Sequence, residues 1–165
     1  MSSILIRAVV AMAVASSLLA PSSGRAAGKA GGLTGIQHEL LSNSKYVYIA
    51  STRKDGTLGK PAEIWFLFHD DAVWVGTRPA SWRAKRIRAG RPEAQIAIGE
   101  VDGVGFSATG EVVSDPDVAA LMMRSFALKY PDRWPDHAAG FRSGFADGSR
   151  ILIRYAPHRL SLIHI

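Results

Sequence analysis

The sequence predicts a mainly β, α+β domain: six short antiparallel strands closed into a barrel or stacked as a sandwich, with a few short helices. Three observations predict it. Six runs rich in β-branched and aromatic residues recur along the chain. Turn signals such as Asp55-Gly56, His69-Asp70-Asp71 and Asp102-Gly103 separate several of them by the short links that antiparallel neighbours need. Helical periodicity intervenes too rarely for an alternating parallel α/β sheet.

The elements follow in order. Leu33–Asn43 reads as a helix with Thr34 as its N-cap and Ile36, Leu40 and Leu41 on one face. Tyr46–Thr52 is the first strand, and Lys54-Asp55-Gly56-Thr57 turns into the second, Pro61–Phe68. After His69-Asp70-Asp71 comes a third strand, Ala72–Thr77, and then a cationic helix, Ala80–Ala89, stopped by Gly90 and Pro92. Glu93–Val101 and Val104–Val113 are the fourth and fifth strands. In the fifth, Gly105 and Gly110 suggest a bulge or a close backbone approach. Asp115 and Pro116 start a helix in which Val118, Leu121, Met122 and Phe126 are core positions, ending near Tyr130-Pro131. The Gly-containing stretch Asp136–Ser149 reads as a loop, Arg150–Ala156 as the sixth strand, and Arg159–Ile165 as the start of another.

At 165 residues the chain suits one domain. Residues 1–32 form a separate leader. A short start carrying Arg7, an apolar run from Ala8 to Ala20 and a small-residue stretch ending near Ala26-Ala27 are the three parts of a secretory signal peptide. An uncleaved membrane anchor is the alternative, although the apolar run is short for a bilayer. The expected location is exported, periplasmic or secreted, with no stable membrane span once the leader is removed. Residues 33–165 then form the folded domain. The absence of Cys excludes disulfides, thiolate metal sites and Cys nucleophiles. The five His make neither H-x-H nor H-E-x-x-H, so no metal site is expected. The formal charge of +6 is concentrated locally, and the aromatics do not alternate with cations as a single-strand nucleic-acid binder requires.

That concentration is the most informative feature. Ala72–Thr77 ends in a hydroxyl, and Arg78, Arg83, Lys85, Arg86, Arg88 and Arg91 follow with no acid before Glu93. Hydroxyls, backbone N–H groups and guanidinium groups together suit a phosphate. A solvated basic helix face is the plain alternative. Trp82, beside Ser81, is the aromatic best placed near a bound ring.

Taken in order, four segments resemble the pyridoxamine 5′-phosphate oxidase-like, FMN-binding split-barrel family. They are Ile49–Gly56 with Pro61–Phe66, then Thr77-x-x-x-Ser81-x-Arg83, then Ile87–Ile96, and Ala108-Thr109-Gly110-Glu111-Val112. The resemblance covers roughly Ser44 to Arg159. It implies a Greek-key split β-barrel that forms a homodimer, with FMN in clefts between protomers. By position, Ile64, Trp65 and Phe66 would line the flavin ring through their backbone. Gly76 and Thr77 would approach the ribityl-phosphate end, and Ser81 and Arg83 would hold phosphate, with Lys85 and Arg86 as weaker contacts. Vitamin B6 oxidases carry Arg and Lys at the ends of the second strand, where this chain has Glu63 and Phe68. The resemblance therefore implies a general member of the superfamily, a flavin-dependent oxidoreductase acting on a small-molecule redox substrate. The alternative is a non-enzymatic binding protein for deazaflavin F420, haem or another anion.

Overall fold

Seven strands make one antiparallel sheet in the order β2-β1-β5-β6-β7-β4-β3. They are β1 (Tyr46–Ser51), β2 (Ala62–Trp65), β3 (Leu67–His69), β4 (Ala72–Thr77), β5 (Glu93–Ile98), β6 (Gly105–Val113) and β7 (Ile151–Pro157). The structure, a computed structural model, describes residues 32–158. The predicted leader up to residue 31 and the strand suggested at Arg159–Ile165 lie outside the described residues.

The strand order explains why seven strands stand where six are expected. β2 and β3, at the two edges of the sheet, are consecutive in sequence, interrupted only at Phe66. The first half of this run pairs with β1, through Val47↔Ile64 and its neighbours. The second half pairs with β4, through Phe68↔Val73. One predicted strand thus crosses from edge to edge, and the sheet curls into a nearly closed barrel split at Phe66.

Alternation along the run is clean despite its continuous apolar spelling. Ile64, Phe66 and Phe68 belong to the barrel interior with Val47, Ile49, Val75, Ile96 and Ile153. Trp65 and Leu67 join a second cluster outside. β4 divides likewise, with Val73 and Val75 inside and Ala72 and Trp74 outside. Apolar side chains on both faces mean that both faces are covered.

Four helices complete the fold. α1 (Gly35–Asn43) starts at Thr34, whose hydroxyl accepts from the Gln37 N–H while the Gln37 amide oxygen accepts from the Thr34 N–H. α2 (Trp82–Arg88) begins after Ser81 and is shorter than the predicted Ala80–Ala89. α3 (Pro116–Lys129) is capped by the Asp115 carboxylate, with Pro in its first turn. α4 (Trp134–Asp147) corrects the predicted loop at Asp136–Ser149. Trp134, Phe141 and Phe145 recur at helical spacing and pack on the outer cluster, so tertiary burial overrides the two glycines. Gly148, with φ near +77°, ends the helix in the left-handed region. No helix of the described residues is long and apolar enough to cross a membrane.

The tight connection expected at His69-Asp70-Asp71 forms, and the two glycines of the fifth predicted strand are closely approached. Asp70 and Asp71 both take positive φ, near +50° and +51°, as a two-residue hairpin link requires. The close approach is to backbone at Gly105, where a Cβ would lie 2.5 Å from the Ile96 carbonyl oxygen, and to side chains at Gly110, where it would lie 2.7 Å from the Tyr155 ring and 2.9 Å from the Ile87 side chain.

Candidate functional site

The site forms where β2, β4, α2, α4 and β7 meet. β4 pairs with β7 in the register Gly76↔Leu152 and Thr77↔Ile151. That register brings Arg150, at the head of β7, beside Gly76, where its Nη1 donates to the Gly76 carbonyl at 3.3 Å. α4 covers the same spot, because a Cβ on Gly76 would lie 3.0 Å from Phe141 and 3.1 Å from Phe145. A side chain here would make these rings give way, so glycine suits so close a helix.

A cleft of about 320 Å³ results. One wall is the β2 edge, with Glu63, Ile64 and Trp65. The floor is the end of β4, with Gly76 and Thr77, and Arg83 of α2 closes one side. His137, Phe141 and Arg150 close the other. A second cleft of about 370 Å³ lies around the start of α2 and includes Ser51, Arg53, Lys60, Ser81, Trp82, Arg83 and Arg86. Arg83 lines both.

The nine predicted site residues therefore divide. Ile64, Trp65, Gly76, Thr77 and Arg83 meet in the first cleft. Ser81 and Trp82 join Arg83 in the second, where the Ser81 hydroxyl caps α2 by accepting from the Ala84 N–H at 3.4 Å. Phe66 lines neither cleft. Its side chain is fully buried in the barrel, its N–H donates to the Tyr130 hydroxyl at 3.4 Å, and its carbonyl accepts from Lys129 Nζ at 3.4 Å. Lys85 also lines neither and stands 5.2 Å from the Trp82 ring centroid.

Charge separates the cations that hold the fold from those that face the clefts. Arg86 donates through Nη1 to both the carbonyl and the hydroxyl of Ser51, each at 2.8 Å, and so ties α2 to β1. Arg88 donates to the Pro79 carbonyl at 2.9 Å. Arg83 and Arg150 have no carboxylate partner among the described residues. Burial pushes the Arg83 pKa down, with the Tyr155 phenol acting in the opposite sense. Burial likewise raises Tyr155, to about 12, against the nearby Arg83 charge. The Tyr155 hydroxyl is buried without a hydrogen-bond partner among the described residues. Arg150 is pushed down by burial first and by the Arg78 charge second. Two partly desolvated cations, neither paired with a carboxylate of the described residues, make this corner a place for an anion. Glu63 is the acid in the first cleft, and its carboxylate accepts from the Tyr48 hydroxyl at 2.8 Å.

The aromatic wall is ordered by contacts behind it. Trp65 stacks on Tyr130 at 4.2 Å with an interplanar angle of 8°, and His137 meets the same indole edge-on at 5.2 Å. Arg150, His137 and Phe141 escape prediction from the sequence. The first lies more than seventy residues from the strand it joins, and the other two lie on the helix that reads as a loop.

No protein-family model matches the sequence, and no curated protein matches it. Solved structures do. The conserved protein Rv2991 from Mycobacterium tuberculosis superposes with a TM-score of 0.58 at 16% identity, over 79% of this chain and 84% of that one. HutZ, the heme storage protein from Vibrio cholerae, gives 0.53 at 13% identity, over 78% and 92%. A protein related to general stress protein 26, of the pyridoxinephosphate oxidase family, from Clostridium acetobutylicum gives 0.50 at 16% identity, over 74% and 85%. With an antiparallel sheet curled on itself and split at Phe66, the chain has the split-barrel fold of the pyridoxamine 5′-phosphate oxidase-like proteins.

Proposed function

We propose that the paired clefts hold FMN at the interface of a homodimer, and that the protein is an exported flavin-dependent oxidoreductase acting on a small-molecule redox substrate. One observation carries this reading: Arg83 stands at the junction of the two clefts without a carboxylate partner, close to a Trp-lined wall. The donor set fits a flavin phosphate. Arg83 supplies a charged fork. The Thr77 hydroxyl can donate, and the Ser81 hydroxyl keeps its proton free, because capping α2 uses only an oxygen lone pair. Ile64 and Trp65 lie on an outermost strand of the sheet order, whose backbone can meet a planar ring. Glu63 lies along the same wall and repels a dianion, directing phosphate toward Arg83.

Bound FMN would supply the electron or hydride transfer. The chain's own residues bind, orient and exclude water, and none need move a proton. Trp82 is 72% exposed beside the second cleft, which suits cover by a second protomer.

The test is the absorption spectrum of the purified protein and an FMN titration followed by gel filtration. Wild type should retain flavin bands at dimer mass. Arg83→Ala should weaken FMN by about 1.5–3 kcal/mol, roughly tenfold to a hundredfold, through loss of a charge-assisted contact. Unchanged binding would remove the phosphate assignment. A preference for deazaflavin F420 in the same titration would change the ring and keep the phosphate contacts.

His137 favours a second reading. It is the imidazole in the cleft, and imidazole is a common axial ligand of haem iron. A Soret band that disappears in His137→Ala would make the protein a haem binder.

A further inference from the structure

A cavity of about 570 Å³ lies on the far side of Arg150 from the candidate cofactor cleft, between the end of β6, the start of α3 and the end of α4. Its walls are apolar, with Val113, Pro116, Ala119, Met123, Phe145 and Leu152. The volume is in the range of small-molecule sites. Phe141 and Phe145 partition the two spaces: both close on Gly76, one lining each side. Arg150 is the cation common to both.

The polar side chains lining this cavity are Ser114, Asp115 and Arg150. Asp115 lines it, but its carboxylate accepts from the N–H groups of Asp117 and Val118, each at 3.0 Å, and so belongs to the cap of α3. Arg150 uses Nη1 on the Gly76 carbonyl and lays its guanidinium over the Phe141 ring at 3.7 Å. Its Nε is enclosed without a hydrogen-bond partner, and no carboxylate of the described residues neutralises it. A nearby Arg78 adds positive charge.

We infer that this cavity binds a small amphiphilic monoanion, a carboxylate with an apolar body, which lays its chain along the walls and its headgroup against Arg150. Charge complementarity selects this occupant. An uncharged apolar molecule leaves the guanidinium uncompensated, and every charge beyond one adds repulsion from Asp115 with no second cation in the lining to offset it. The inference shares Arg150 with the candidate cofactor cleft but uses neither Arg83 nor the Trp65 wall, so its failure and that of the flavin reading are distinguishable.

Calorimetric titration with decanoate, and with decanol as its neutral counterpart, tests it on the full chain. Wild type should bind decanoate more tightly than decanol. Arg150→Gln should weaken decanoate about tenfold or more and leave decanol nearly unchanged, since only the charged headgroup loses its partner. Ala146→Trp, at an exposed position on the cavity rim, should weaken both by filling the space. Arg83→Ala should alter neither. If Arg150→Gln does not fold, the contrast between Ala146→Trp and Arg83→Ala decides. The proposal is overturned if wild type ignores decanoate, as it would were a segment of this chain or a second copy to fill the cavity. It is overturned equally if Ala146→Trp leaves decanoate binding intact, if a folded Arg150→Gln binds decanoate as wild type does, or if Arg83→Ala abolishes binding and so moves decanoate to the other cleft.

Discussion

The barrel interior and the layer outside it are built from different materials. Inside, the packing is largely aliphatic: Val47, Ile49, Val73, Val75, Ile96, Ile98 and Ile153. Outside, it is aromatic: Trp65, Phe126, Tyr130, Trp134 and Phe141 meet face to face or edge to face, with Phe126 at the hub. Aliphatic side chains pack without directional demands, whereas aromatic pairs prefer particular angles. The interior therefore sets where the strands run, and the outer layer sets which way Trp65 and Phe141 face. Both of these line the candidate cleft. The course of the strands and the orientation of the cleft walls thus rest on separate clusters that share one sheet.

The largest effects should come from opening each cluster. Phe126→Ala should cost about 3–5 kcal/mol, and Ile153→Ala about 2–5 kcal/mol, because both are fully buried and each leaves a cavity. Urea melts measure the losses. The two should differ in near-ultraviolet circular dichroism under native conditions. Phe126→Ala should flatten the tryptophan bands, since Trp65 and Trp134 both pack on it, and Ile153→Ala should preserve them. Equal flattening would erase the distinction between the two clusters.

This division also explains what was legible in the sequence. β-branched and aromatic runs and Asp-containing turns mark the strands because an antiparallel barrel repeats one local rule. Thr34 and Asp115 mark two helix starts by their capping chemistry, whereas the cap at Ser81 falls inside the helix expected over Ala80–Ala89. α4 has no side-chain cap, and Gly140 and Gly144 disguise it, so only its contacts with the aromatic layer reveal it. The site was half readable for the same reason. Ile64, Trp65, Gly76, Thr77 and Arg83 lie in segments with local signatures. Arg150 enters through the β4–β7 register, which nothing near it in sequence announces. Nor does a count of cations tell that Arg86 is tied to Ser51 while Arg83 pairs with no carboxylate of the described residues.

Two glycines, one from each region, sharpen the contrast at smaller magnitude. Gly110 lies in the barrel wall against Tyr155 and Ile87, so Gly110→Ala overpacks it and should cost about 1–3 kcal/mol. Gly140 lies on the exposed side of α4, where an added methyl group would meet nothing within 4 Å, so Gly140→Ala should gain up to about 1 kcal/mol of helix propensity. Thermal melts of the two variants should move in opposite directions. A loss at Gly140 would mean that this face of α4 is covered in solution.

The smallest effect concerns Lys129, which joins the two regions at the split. Its Nζ lies 3.4 Å from the Phe66 ring centroid and donates to the Phe66 carbonyl, and burial lowers its pKa from 10.5 to about 8. Below the folded value the amine is charged in both states, and the native state carries the full desolvation penalty. Between the two values the unfolded chain binds more protons, so stability rises with pH. Tyr130 and Tyr155 act oppositely at higher pH. Burial raises both, so the unfolded tyrosines ionise first and stability falls as pH climbs above their ordinary value of 10. A window from about pH 8 to pH 9.5 therefore isolates the lysine. Across it, the melting temperature of wild type should rise relative to Lys129→Met by at most a few degrees. Parallel curves for the two proteins would show that water already reaches this amine, and that the split at Phe66 is open rather than sealed by the end of α3.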